Sequence, residues 1–213
     1  MLDLIIKNGK CYVDGALKDV DVAVKEGKIH KIGEISEEAK ETINAEGQTV
    51  LPGCIDTQTH FREPGSTDTE DLYSGSRAAI AGGITSVFEM PNTNPPTSTK
   101  VEFQKKLDLA KNRMYCNYAF YFGATADNGN ELADLEKLEG CCGIKLFAGS
   151  STGNLLVAEE EDIDRVFQNS SKVVAVHSED EAILNTNKKL IKDGDVHSHP
   201  VWRSVECAIS STR

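Results

Sequence analysis

The chain has 213 residues, 39% hydrophobic and 27% charged, with a formal net charge of −11. That composition suits a folded globular chain with apolar mass for one sizeable core or one large and one small domain, and argues against disorder. Thirty-four acids against 23 bases leave no basic footprint for nucleic acid, and no run of about 18 apolar residues exists to span a membrane.

In chain order, Met1–Lys7 lacks the basic leader and apolar core of a signal peptide. Residues 1–52 then read as short strands and turns: Leu4-Ile5-Ile6, Cys11-Tyr12-Val13, Val20–Val24 and Ile29–Gly33. Alternation in Asp21-Val22-Ala23-Val24 and glycine-containing turns predict a small antiparallel unit. From residue 53 the pattern changes to apolar runs alternating with helical stretches, the signature of parallel βα units. Strands are expected at Cys54–His60, Thr85–Met90, Tyr115–Phe122, Gly143–Phe147 and Val173–His177. Helices are expected at 69–81, 98–112, 130–138, 159–168 and 179–192. Thr97-Ser98-Thr99 caps the second, acid fills the first turn of the fourth, and Gly82-Gly83 closes the first. Polar residues gather at the carboxyl ends of successive strands, where TIM barrels carry their active sites, which favours a barrel over a doubly wound sheet.

Six cysteines (Cys11, Cys54, Cys116, Cys141, Cys142, Cys207) show neither C-x-x-C nor disulfide-framework spacing. They point to a reducing cytoplasm. Adjacent strand residues face opposite ways, so Cys141-Cys142 is read as structural rather than metal-binding.

Four clusters carry chemistry. In Asp56–Gly65, residues 56, 58 and 60 share a strand face and could converge on a metal; a structural histidine is the alternative. Glu89–Pro96 is a turn after a strand, open to an Asx-bonded reading. In Gly143–Asn154, Lys145 stands inside an apolar strand, which is costly unless the lysine is paired or chemically altered. Val173–Asp180 is a buried-strand run ending in His177.

Together, Leu51-Pro52-Gly53-Cys54-Ile55-Asp56, His60-Phe61-Arg62-Glu63-Pro64-Gly65, Met90-Pro91-Asn92-Thr93, Gly143–Phe147 and Val176-His177-Ser178-Glu179-Asp180 resemble the dihydroorotases of the amidohydrolase superfamily. The resemblance implies an α/β fold, a (β/α)8 TIM-barrel metal-dependent hydrolase. About five of its eight βα units would lie at 53–213, with part of a small β-sandwich at 1–52. It implies reversible, zinc-dependent ring closure of N-carbamoyl-L-aspartate to L-dihydroorotate in pyrimidine biosynthesis. His60 would be the second histidine of a His-x-His metal motif, and His177 a further ligand. Lys145 would carry a CO2-derived carbamate that bridges two Zn2+ ions, with one or two Zn2+ expected in all. Arg62 and Asn92 would hold the substrate carboxylate, Arg62 through a bidentate pair.

Gln58 stands where the motif has its first histidine, and an amide oxygen is a weaker zinc ligand than imidazole. The general acid/base aspartate and a later metal histidine are expected beyond Arg213, so no catalytic acid/base residue is assigned within the chain. The chain is read as the N-terminal part of a longer protein and is expected to be inactive alone. A homodimer and aspartate transcarbamoylase are the expected partners. Alternatives are another cyclic amidase (a hydantoinase or allantoinase) and a non-catalytic scaffold of the transcarbamoylase. The segment His197-Ser198-His199-Pro200, with Arg203 and Glu206, is expected to be a loop before a helix without a ligand role.

Overall fold

A computed structural model describes residues 1–151 and 153–213; Thr152, within the Gly143–Asn154 cluster, lies outside the described residues. The chain divides into two compact units, Met1–Gly53 and Cys54–Arg213.

The first unit has seven strands: β1 (Leu2–Lys7), β2 (Lys10–Val13), β3 (Ala16–Asp19), β4 (Asp21–Lys25), β5 (Lys28–Gly33), β6 (Ala39–Asn44) and β7 (Thr49–Val50). They form two sheets, ordered β5-β4-β1-β6 and β3-β2-β7. Two hairpins turn on Asp14-Gly15 and Glu26-Gly27, all four residues at positive φ, the twist that two-residue hairpin loops require. Leu2, Ile5, Ala23 and Ile35 form the unit's core. The unit is not purely antiparallel, as its alternation had suggested: β1 pairs with β6, and β2 with β7, in parallel. Of β6 only Ala39 is even half-buried. An edge strand so polar carries no hydrophobic signal, and its pairing is set by the chain's return path.

The second unit is one parallel sheet, in sequence order: β8 (Cys54–Thr59), β9 (Ile84–Glu89), β10 (Asn117–Gly123), β11 (Cys141–Phe147) and β12 (Val174–His177). Its helices are α1 (Leu72–Ala81), α2 (Lys100–Ala110), α3 (Leu132–Leu135), α4 (Glu160–Gln168), α5 (Glu181–Asn187), α6 (His199–Trp202) and α7 (Val205–Thr212). Asp71 caps α1 by accepting from the Ser74 N–H at 2.6 Å, and Thr99 caps α2 by accepting from Glu102 N–H at 3.2 Å. The core between sheet and helices is built on Leu72, Val87, Phe103, Phe120, Phe122, Leu132, Ile144, Leu146 and Val166.

Three expectations need correction. The helices anticipated at 130–138 and 179–192 are shorter: a 3-10 turn, Gly129–Glu131, precedes the first, and another, Lys188–Leu190, follows the second. The segment at 196–202 is a 3-10 turn and α6 rather than loop, because Asp195 caps it by accepting from His197 N–H. Finally, the β8–β9 register slips between Asp56 and Thr59, so the simple alternation assumed for 56, 58 and 60 is interrupted there.

Candidate active site

All five strands run the same way, so the residues after each end gather on one side of the sheet. Directly after β8, the His60 Nδ1 lies 2.9 Å from Asn92 Oδ1 in the turn after β9. An amide oxygen only accepts, so this contact puts the proton on Nδ1 and leaves Nε2 as the lone-pair nitrogen. The two loops are joined again where Asn94 N–H donates to Pro64 O at 2.9 Å. Gly65 has φ +120°, and a Cβ there would meet Asn94 Cβ at 2.9 Å, so both backbone and space demand glycine. His60 is half-buried, and burial pushes its pKa below the ordinary 6.5, with the Arg62 and Lys145 cations adding to the effect.

Glu63 is not part of the polar mouth. It is buried, accepts from the α1 N–H of Leu72 at 2.9 Å, and takes a two-pronged ion pair from Arg113 at 2.8 and 3.1 Å. Its neighbour Arg62 is exposed, at φ +60°. Among the described residues no carboxylate pairs with Arg62. Adjacent in sequence, the two differ in role: Glu63 is an anchor, and Arg62 is a cation with no carboxylate partner among the described residues.

Beneath the loops lies a pair the sequence reading missed. Glu89, the last residue of β9, and Lys106 of α2 are each 1% exposed and form an ion pair. Lys106 Nζ also donates to Met90 O at 3.0 Å. Burial raises the Glu89 carboxyl to about 7 and pulls Lys106 down, each opposed by the other's charge. A signal was available: Lys106 shares the helical stripe of Phe103, Leu107 and Ala110, where an apolar residue is expected.

Lys145 lies in β11, 3% exposed, its backbone opposite Gly123 and Ala175. Its Nζ is 4.8 Å from the centroid of the Phe147 ring. Among the described residues it makes no hydrogen bond or ion pair. Burial therefore lowers its pKa without an opposing anion.

His177 ends β12 and stacks on Phe147, ring centroids 6.2 Å apart. Its Nε2 is 2.6 Å from Glu179 Oε2, and Glu179 is ion-paired with Arg203, whose Nε donates to Oε1 at 2.8 Å. The Arg203 bond, ahead of that to His177, holds the Glu179 carboxyl below its ordinary range. Arg203, grouped in sequence with the His197–Pro200 segment, thus belongs to the His177 cluster. His199 packs edge-on against Trp202, and neither His197 nor His199 donates or accepts through its ring among the described residues. Gln58 is exposed, and its backbone N–H donates to Asp56 Oδ1 at 2.9 Å. Cys141 is buried, and burial pushes the Cys142 thiol up to about 12, where it is no ready metal ligand.

No three His, Cys, Asp or Glu side chains among the described residues converge on a metal position. Converted to a carbamate, Lys145 would add an acidic donor to the two imidazoles. Its solitary, burial-depressed amine fits that conversion, because CO2 adds to the neutral form. Imidazole nitrogens at His60 and His177 fit zinc.

Residues 49–205 match the amidohydrolase family, and the chain belongs to it. It is 36% identical to a dihydroorotase of Methanosarcina mazei over 100% of its own length and 48% of that protein. An Escherichia coli allantoinase is 33% identical over 96% of the chain and 48% of its own length. Among solved structures, an L-hydantoinase of Arthrobacter aurescens superposes with a TM-score of 0.90 at 28% identity, covering 99% of this chain and 49% of that one. The chain thus spans about half the length of the relatives it matches. The five-stranded parallel sheet is part of a TIM barrel, accompanied by a separate small β unit. No helix is long and apolar enough to cross a membrane among the described residues.

Proposed function

We propose that these residues form part of a zinc-dependent cyclic amidase of the dihydroorotase type, which interconverts N-carbamoyl-L-aspartate and L-dihydroorotate in pyrimidine biosynthesis. The observation that carries the reading is Lys145: a buried amine with no anion beside it, at the strand ends that also carry His60 and His177. Addition of CO2 to the neutral Nζ forms an N–C bond as one C=O π bond of CO2 opens onto oxygen, releases one proton and turns a buried amine into a carbamate. His60 through Nε2, the Lys145 carbamate and His177 would hold zinc, with Gln58 as a weak further donor. Zinc, when bound, supplies Lewis-acid polarisation of the ring amide and a water of lowered pKa.

The chain's own residues bind and orient the substrate. Arg62, exposed and without a carboxylate partner, takes the substrate carboxylate in a fork. Asn92 keeps its amide oxygen on His60 and has Nδ2 left to donate to the same carboxylate. This favours dihydroorotate over the uncharged rings of hydantoin and allantoin. The scaffold reading rests on Gln58 alone; the joint presence of Lys145, His177, Arg62 and Asn92 weighs against it. A homodimer, a transcarbamoylase partner and a cytoplasmic location accompany the proposal as features of the whole protein.

The test uses the chain with zinc and 13C-bicarbonate. A carbamate carbon resonance is expected, absent from Lys145→Ala, and dihydroorotate should bind in preference to hydantoin. A zinc-loaded chain with no carbamate signal would sink the reading.

A further inference from the structure

Nothing in the proposed ligand and substrate roles uses Glu179 or Arg203, yet the pair is built around His177. Glu179 is mostly buried, with 13% of its side chain exposed, and Arg203 has 25%. Arg203 reaches across 24 residues to bond both carboxylate oxygens. The segment that carries it is fixed independently. Asp180 N–H donates to Cys207 O at 3.1 Å, Ser210 Oγ donates to Asp180 Oδ2 at 2.7 Å, and Asn187 Nδ2 donates to Trp202 O at 3.3 Å. The guanidinium is therefore placed by the backbone around it as well as by Glu179.

The chemistry of the three groups then assigns the proton on His177. An ionised carboxylate only accepts, so the 2.6 Å contact with Glu179 Oε2 requires a proton on Nε2. A guanidinium only donates, so the 3.3 Å approach of Arg203 Nη2 to that same nitrogen is proximity around a shared acceptor. The charged acceptor at the shorter distance decides. Nδ1, which has no hydrogen bond among the described residues, is left as the nitrogen with a lone pair. Stacking on Phe147 limits rotation of the ring.

We propose that Glu179 and Arg203 are positioning residues for His177. Arg203 pins the Glu179 carboxylate, Glu179 holds the proton on Nε2, and the imidazole presents Nδ1 to the metal. The metal part of this rests on the zinc reading above, whereas the proton assignment does not. Carboxylates that hold a ligating histidine are worth about 10- to 100-fold in metal affinity.

Long-range 1H–15N correlation on the metal-free chain tests the assignment without any variant. His177 should carry its proton on Nε2, shifted strongly downfield by the charge-assisted bond; a proton on Nδ1 with Nε2 bare would overturn the proposal. Zinc affinity, measured by competition with a chromophoric chelator, tests the consequence. Glu179→Ala should lose about 10- to 100-fold and the downfield proton. Glu179→Gln, which keeps shape and an acceptor but no charge, should lose less, and Arg203→Met less than Glu179→Ala. Folding of each variant is followed by circular dichroism, and Glu179→Gln serves if Glu179→Ala does not fold. Wild-type zinc affinity in a folded Glu179 variant would overturn the positioning role. Unchanged zinc affinity in His177→Ala would instead overturn the metal reading, and the correlation spectrum alone would then decide the clamp.

Discussion

The two histidines of the candidate site are held by opposite means. His60 leans on a neutral amide, Asn92, inside two loops knitted by backbone bonds and by a glycine that admits no side chain. His177 leans on a carboxylate that is itself pinned by an arginine from 26 residues downstream. The first arrangement fixes position through steric and backbone constraint and leaves the ring easy to keep neutral. The second holds the ring through a charged partner at 2.6 Å. Lys145 belongs to neither scheme, since among the described residues no hydrogen bond or ion pair answers its amine. One histidine is thus set by packing and one by charge, and the lysine is the group on which the proposed carbamate would form.

Removing the open group should have the largest effect. Lys145→Ala is expected to abolish bicarbonate-dependent zinc uptake altogether, because among the described residues no three His, Cys, Asp or Glu side chains gather to hold a metal without it. Zinc content by mass spectrometry, with and without bicarbonate, checks this. Zinc retained at wild-type stoichiometry would mean the two histidines bind without the lysine.

The His60 end can be broken from beneath. Lys106→Met leaves the buried Glu89 without its cation, a change of about 3–5 kcal/mol in stability. Glu89 has a folded-state pKa raised to about 7 from 4.5. Its contribution to stability is therefore fully present below the unfolded value and lost as pH rises through the folded one. The variant should melt much lower at pH 8 than at pH 5, and Glu89→Gln/Lys106→Met should recover most of the loss and lack that slope. Thermal melts across the range decide it.

How much of this the sequence carried depends on the reach of each interaction. Strands β9 to β12 were readable because each carries an apolar run between glycine-, proline- or acid-rich stretches, and the order of the sheet followed from the βα alternation. His60, Asn92, Lys145 and His177 stood out because polar residues at apolar strand ends conflict with their surroundings. Strand β6 was not readable, since Lys40-Glu41-Thr42 looks like any solvated loop until β1 lies beside it. Nor were the clamps. Glu63 with Arg113, Glu89 with Lys106 and Glu179 with Arg203 join residues 50, 17 and 24 positions apart, and only the folded backbone specifies such pairs.

At the rim, Arg62→Lys keeps the charge and loses the fork. Dihydroorotate binding should weaken by about 1.5–3 kcal/mol, the worth of a charge-assisted hydrogen bond, while hydantoin binding stays unchanged. Titration calorimetry with both ligands checks the contrast. Equal losses for the two would place the effect in the loop rather than in the carboxylate.

The smallest effect is expected from Asn92→Ala, which measures the neutral clamp against the charged one. A neutral hydrogen bond contributes about 0.5–1.5 kcal/mol, so zinc affinity should fall less than in Glu179→Ala. The pH behaviour gives a second readout. Burial depresses the His60 pKa below 6.5, and the Asn92 bond acts in the opposite direction. A base with a depressed folded pKa contributes stability that is present above its unfolded pKa and lost as pH falls. Deleting the bond removes the opposing effect, so the His60 resonances should titrate at a lower pH in Asn92→Ala than in wild type. The variant's stability should also fall more steeply on acidification below 6.5. Histidine-resolved NMR titration checks it: a lower midpoint for His60 in Asn92→Ala is the expected result, and an unchanged or higher one would show that Asn92 is not the neutral clamp of that ring.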